Sequence, residues 1–328
     1  MRVLVTGAAG YIGSVAVEML LDAGHDVVGA DSLWRGHRLA VDARAEFRQV
    51  DLLIASQVSD VMGEVRPDAV MNFAAATLVP ESVVRPRDYF AANVVGGHNL
   101  LSAMQDHDVR LLVFSSTAAV YGEPEAIPIH ETSPLQPINP YGRSKLIVEE
   151  MLPAHAAAWG LRYASLRYFN VAGATAVHGE DHDPETHLIP MALFSVMGRR
   201  PVFGLYGTDY PTPDGSCIRD YVHVEDLIDA HVLTLEALAE SEEPLGAFNL
   251  GSKSGFSVRE VVDTVQRVTG RTVPLEEQPR RAGDPPVLIA DSTRAREVLG
   301  WQPTRSTLDE MVASAWAWFK ANPRGYEG

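Results

Sequence analysis

The chain has 328 residues, 46% hydrophobic and 21% charged, with a formal net charge of −16 at pH 7. That apolar content supports a sizeable core, and the length suits an α/β unit with an appended lobe. The acidic balance argues against a nucleic-acid backbone or an anionic membrane surface as partner, since both need clustered positive charge. A few local arginines can still hold a small anion.

Short β-branched runs alternate with helix-period segments through the first half. Strands are expected at 2–6, 26–30, 47–50, 69–73 and 110–115, and helices at 12–23, 58–65, 88–105 and 141–159. Alternation of this kind predicts βαβ units, right-handed crossovers and a doubly wound, Rossmann-like parallel sheet. Residues 164–168 fit a sixth strand. The rhythm breaks near Ala174, where Gly, Pro and Asp become frequent. Residues 1–174 are therefore expected to form a dinucleotide-binding domain, with about 220–250 returning to it. Residues 175–328 are expected to form a smaller, interleaved α/β substrate lobe, with helices near 224–239, 258–269 and 308–320.

Lone Cys217 offers no intramolecular disulfide and no cysteine zinc cluster. Met1-Arg2 leads straight into an apolar strand without the pattern of a signal peptide. No apolar run reaches the ~18 residues of a membrane span, so a cytoplasmic protein is expected.

The first expected strand is followed by Thr6-Gly7-Ala8-Ala9-Gly10-Tyr11-Ile12-Gly13. Gly7 permits the tight turn, Gly10 lets backbone approach a pyrophosphate, and Gly13 allows close packing of helix on sheet. The spacing is GxxGxxG, and alone it equally describes a strand-to-helix turn. Asp31 ends the second strand, where a carboxylate can accept both ribose hydroxyls of adenosine and would repel a 2′-phosphate. NAD is thus preferred to NADP.

Asn139 and Pro140 read as the cap and first position of a helix, which puts Tyr141 and Lys145 four apart on one face. A tyrosine has a pKa near 10, so a neutral-pH base needs a shift of about 3 units, or ~4 kcal/mol of phenolate stabilisation. Lys145 and a nicotinamide ring are candidates to supply it. Thr117, 24 residues before Tyr141, closes the run Phe114-Ser115-Ser116-Thr117 and can bond the same substrate oxygen.

With these motifs the chain resembles the extended short-chain dehydrogenase/reductases and, among them, the UDP-glucose 4-epimerase (UDP-galactose 4-epimerase) family. The likeness spans essentially the full length, through 6–13, 114–122, 141–145, 167–170 and above all 206–224. It implies catalysis by Thr117, Tyr141 and Lys145. It implies NAD contacts at Gly7, Gly10, Tyr11, Ile12, Gly13, Asp31, Asp51, Leu52, Phe73, Ala74, Ala75, Asn93, Ser115, Tyr141, Lys145 and Tyr168. The UDP-sugar would meet Thr117, Tyr141, Asn170, Leu188, Tyr206, Arg219, Arg281 and Asp284. The implied reaction inverts C4 of a UDP-hexose through a transient 4-keto sugar, with Tyr141 taking and returning the hydroxyl proton. By the same resemblance, helices 88–105 and 141–159 would form a homodimer interface.

Three rivals are weighed against this. Dehydratases of the family carry an acid and a base directly after the threonine, where this chain has Ala118 and Ala119. A non-catalytic sensor would not need Thr117, Tyr141 and Lys145 together. Epimerisation of UDP-N-acetylglucosamine, UDP-glucuronate or a UDP-pentose stays open, because Leu288 stands where relatives carry either a large tyrosine or a small residue. Thr77 replaces a lysine that some relatives place near the cofactor. His178, His182 and His187 are read as members of a solvated loop, with no metal, and His223 and His231 as a helix start and a packed face.

Overall fold

The computed structural model describes residues 1–281 and 284–326. Ala282 and Gly283 lie outside the described residues.

Seven strands form one parallel sheet: β1 (Arg2–Thr6), β2 (Asp26–Asp31), β3 (Glu46–Gln49), β4 (Ala69–Asn72), β5 (Leu111–Thr117), β6 (Arg162–Tyr168) and β7 (Gly246–Leu250). Their order is β7-β6-β5-β4-β1-β2-β3, with parallel pairing throughout. This is a doubly wound, Rossmann-like sheet. The chain reverses direction between β1 and β4, and ligands of such sheets settle outside the carboxyl ends at that point.

Both faces are covered, which is why the central strands read as continuous apolar runs rather than alternating ones. Val3, Val5, Met71, Val113 and Leu166 point to one side. There they meet α1 (Tyr11–Asp22) and, much later in sequence, α6 (Val224–Glu240). Leu4, Val28, Val70, Leu112 and Phe114 point to the other. Their partners are α2 (Ala55–Val65), α3 (Gly96–Asp106) and α4 (Pro140–Trp159). Each such side chain removed from water contributes ~1.5–3 kcal/mol, so the two layers lock the strand ends that frame the cleft.

The single helix expected over 88–105 is broken. Pro86–Tyr89 is α-helical, Phe90–Val95 is a π-turn, and α3 resumes at Gly96. Asn93 explains the insertion: its amide accepts the Ala76 N–H at 2.8 Å and donates to the Ala76 carbonyl at 3.0 Å and Ser144 Oγ at 2.8 Å. The π-turn is where this side chain faces inward to meet those groups.

A second core lies under α5 (Leu188–Val196), α7 (Val258–Thr269) and α8 (Leu308–Ala321). Short sheets accompany it: Phe203–Tyr206 with Leu275–Gln278, and Ile218–Arg219 between Phe256–Ser257 and Val287–Leu288. The helix α5 and these short strands carry weak period signals and escaped the sequence reading. The lobe faces the carboxyl ends of the main sheet across a cleft of about 1730 Å³.

Candidate active site

The glycine loop forms one end of the cleft. Gly7 has φ +76°, and a Cβ there would sit 2.5 Å from the Ala74 nitrogen. A Cβ on Gly13 would lie 2.0 Å from the Gly7 oxygen, so the helix approaches the strand as closely as glycine alone permits. Gly10 caps α1 without a side-chain hydrogen bond, leaving first-turn N–H groups toward the cleft. Such a terminus is a ready anion site. Asp31 accepts the Ala9 N–H at 3.0 Å and the Leu33 N–H at 2.7 Å, and burial raises its pKa. Both of its oxygens keep a further lone pair for a ribose. Ile12, Asp51, Leu52, Phe73, Ala74 and Ala75 complete this end. Tyr11 also lines it, but its hydroxyl donates to the Gly173 carbonyl at 2.6 Å, so its backbone is what remains for a ligand. A dinucleotide fits this cradle: open helix N–H groups, no side chain over the glycines, and a carboxylate at the second strand end.

The reactive candidates converge midway. Asn139 Oδ1 accepts the Gly142 N–H at 2.8 Å, capping α4 as expected, and Pro140 follows it. Tyr141, Lys145 and Thr117 all line the cleft. Lys145 Nζ donates to the Ser115 carbonyl at 2.8 Å and stands 5.0 Å from the Phe114 ring centroid. Burial lowers its pKa to about 7 against the opposing charge of Glu149. The phenol of Tyr141 shifts the other way: burial pushes it up, and only the Thr117 hydroxyl pulls it back. The side chains alone therefore do not supply the downward shift that a tyrosine base needs. Tyr168 bonds Ser115 Oγ at the same strand ends.

Behind Lys145 stands a buried ion pair. Arg167 Nε meets the two Glu149 oxygens at 3.0 and 3.1 Å, while its Nη1 donates to Tyr121 Oη at 3.0 Å. Tyr121 donates in turn to Asn249 Oδ1 at 2.7 Å, tying α4, β6 and β7 into one network.

The lobe supplies cations. Arg219 pairs with Asp284 and donates to the Ile218 carbonyl at 2.8 Å. Arg281 lies 3.9 Å from the Tyr206 ring centroid. Asn170 lines the wall while donating to the Asp220 carbonyl at 2.8 Å. Arg200, which sequence reasoning missed, is a further cleft arginine. Ala118, Ala119, Thr77 and Leu288 also face the space. Asn93, Leu188 and Tyr206 do not: Asn93 holds the Ala76 turn, Leu188 packs on the lobe core, and Tyr206 acts by stacking on Arg281.

Residues 3–251 match the family model described as the NAD dependent epimerase/dehydratase family. The chain belongs to that family. It is 50% identical to a UDP-glucose 4-epimerase of Lactobacillus helveticus over all of this chain and 99% of that one. The solved UDP-glucose 4-epimerase of Brucella ovis in complex with NAD superposes with a TM-score of 0.94. It is 47% identical, covering 96% of this chain and 97% of that one. The enzyme of Bifidobacterium longum, solved with NAD+ and UDP, also gives 0.94, at 35% identity over 99% and 100%.

One expectation about this member of the epimerase/dehydratase family is corrected. The solvated-loop reading fails for His178, while His182 and His187 remain partly exposed but are paired with carboxylates. His178 is buried, its Nδ1 2.7 Å from Glu18 Oε2. His182 pairs with Glu180, and His187 Nδ1 lies 2.8 Å from Glu185 Oε1. Both imidazoles line the cleft. Burial opposes a charge on His187, but Glu180 and Glu185 outweigh it and push the pKa up to about 9. The sequence signal was the alternation Glu180-x-His182-x-x-Glu185-x-His187; a carboxylate beside each imidazole gives polar loop residues a reason to be buried. His223 caps α6 and His231 is fully buried within it, in line with the sequence reading.

Proposed function

We propose that the chain is an NAD-dependent isomerase that inverts C4 of a UDP-hexose, interconverting UDP-galactose and UDP-glucose. One observation carries this reading. Thr117, Tyr141 and Lys145 face the cleft between the glycine loop and the lobe arginines, while Ala118 and Ala119 bring no further proton-transfer group.

The glycine-loop N–H groups, Asp31, Asp51 and Leu52 would hold NAD, which when bound would supply hydride acceptance and return at C4. Tyr141 takes the proton of the sugar 4-hydroxyl as general base, a contribution worth about 10²–10⁴ in rate. Thr117 donates to or accepts from the same oxygen and fixes its distance from the phenol. Lys145, held by the Ser115 carbonyl, provides the positive field that favours the phenolate. Arg219 and Arg281 grip the pyrophosphate, each charge-assisted bond contributing roughly 1.5–3 kcal/mol. With alanine at 118 and 119, the keto sugar meets no acid or base to carry it onward. Tyr141 then returns the proton to the opposite epimer.

The reading takes residues 1–174, with α6 and β7, as the cofactor half and the remainder as the sugar half. It keeps the cytoplasm as compartment and a homodimer as assembly. Exposed Val84 and Val95 beside α3 and α4 support the dimer, which multi-angle light scattering tests by mass. The activity is tested by NMR of a UDP-sugar panel incubated with purified protein and no added NAD. UDP-galactose and UDP-glucose should interconvert. UDP-N-acetylglucosamine belongs in the panel because Leu288 lines the cleft. Conversion of no UDP-hexose would remove the assignment.

A further inference from the structure

The cluster around His182 and His187 has no part in the chemistry just described. Glu180, His182 and His187 bring one donor atom each to within 4.8 Å of one another. Glu185 adjoins them, with Oε1 at 2.8 Å from His187 Nδ1. That oxygen also accepts the N–H groups of Thr186 and His187, both at 2.6 Å. Its other oxygen, Oε2, is buried and has no hydrogen-bond partner among the described residues, on a side chain only 5% exposed. A buried carboxylate oxygen left without a donor is costly, and a cation is its natural complement. We propose that Glu180, His182 and His187, with Glu185 held against His187 beside them, form a site for one divalent transition-metal ion, with zinc as the best match.

The donor set selects the ion. Two imidazole nitrogens with one carboxylate suit zinc, which takes three protein ligands and leaves a fourth position open, whereas magnesium and calcium prefer oxygen alone. Charge balance points the same way. Glu180 and Glu185 place two buried negative charges on the wall of a cleft whose glycine loop is built for an anion. A dication cancels both.

The role that follows is structural. His37 Nε2 lies 2.9 Å from the Asp181 carbonyl, tying this loop to the N-terminal half. His187 is the N-cap position of α5. An ion here joins the loop to the start of α5 and stiffens the wall beside the glycine loop.

The test begins with wild-type protein, stripped by a strong chelator, desalted and titrated with zinc alone. Metal content is read by plasma mass spectrometry, and a parallel titration with cobalt(II) is read by visible absorption. Saturable uptake of one zinc per chain is expected, with a tetrahedral cobalt band. His182→Gln and His187→Gln should weaken uptake by at least about tenfold, since even outer partners of metal ligands cost that much. His178→Gln, which removes only the Glu18 pair, should retain it. If a variant does not fold by circular dichroism, the wild-type titration decides alone. No saturable uptake by wild type, or undiminished uptake by folded His182→Gln and His187→Gln, would overturn the site and leave a protonated histidine–glutamate network.

Discussion

The Lys145 ammonium donates to the Ser115 carbonyl at 2.8 Å, across 30 residues of sequence, in the middle of the cleft. The bond comes from two independent elements, the carboxyl end of β5 and the first turns of α4. It keeps a buried cation beside Tyr141 although burial lowers its pKa to about 7.

Lys145→Met should therefore abolish turnover while stabilising the cofactor-free protein. With a folded pKa of about 7 against 10.5 in the unfolded chain, the unfolded state binds more protons across that interval. Lys145 costs stability progressively as pH falls from about 10.5 to about 7, and its full cost is felt below. Its removal should gain on the order of 2–5 kcal/mol at pH 7, read by urea unfolding. Unchanged or lowered stability would contradict this account of the lysine.

Tyr141→Phe keeps the ring and deletes the base. Turnover should fall by about 10²–10⁴ with NAD still bound, measured as product by NMR and as cofactor released on denaturation. Loss of cofactor in parallel with turnover would instead make the tyrosine a binding residue.

Glu149→Gln should unfold the region that carries Lys145. It leaves the Arg167 guanidinium, 6% exposed, without its counter-charge. Removing one member of a buried pair costs roughly 3–5 kcal/mol. Thermal unfolding reads the loss, and a shift within error would show the pair to be dispensable.

His231 gives a pH signature. It packs 4.8 Å from the Phe73 ring and 6.0 Å from that of Tyr168, bonds the Leu227 carbonyl, and has no partner for Nε2 among the described residues. Burial holds its pKa near 4, below the usual 6.5. Its contribution to stability is complete above about pH 6.5 and is lost as pH falls toward 4, roughly 3 kcal/mol in all. His231→Phe should flatten the stability curve over that window; an unchanged slope would place the acid sensitivity elsewhere.

The sheet and the Tyr141–Lys145 helix were legible because β-branched runs, the glycine loop and the Asn139-Pro140 cap are local signals. The π-turn at 90–95 was not, because it follows from one tertiary demand, Asn93 reaching Ala76 and Ser144. Strand β7 was foreshadowed only as a return near 220–250, since the parallel pairing of Gly246–Leu250 with β6 is a long-range choice. The cleft positions of Arg200, His182 and His187 depend on which loop folds against which wall. A polar loop sequence does not state that.

The central claim is that a hydride leaves C4 and returns to the same carbon. Incubating the protein, without added cofactor, with UDP-galactose deuterated at C4 tests this most directly. NMR should show UDP-glucose forming with deuterium retained at C4. Deuterium lost to solvent, or no UDP-glucose at all, would contradict the account.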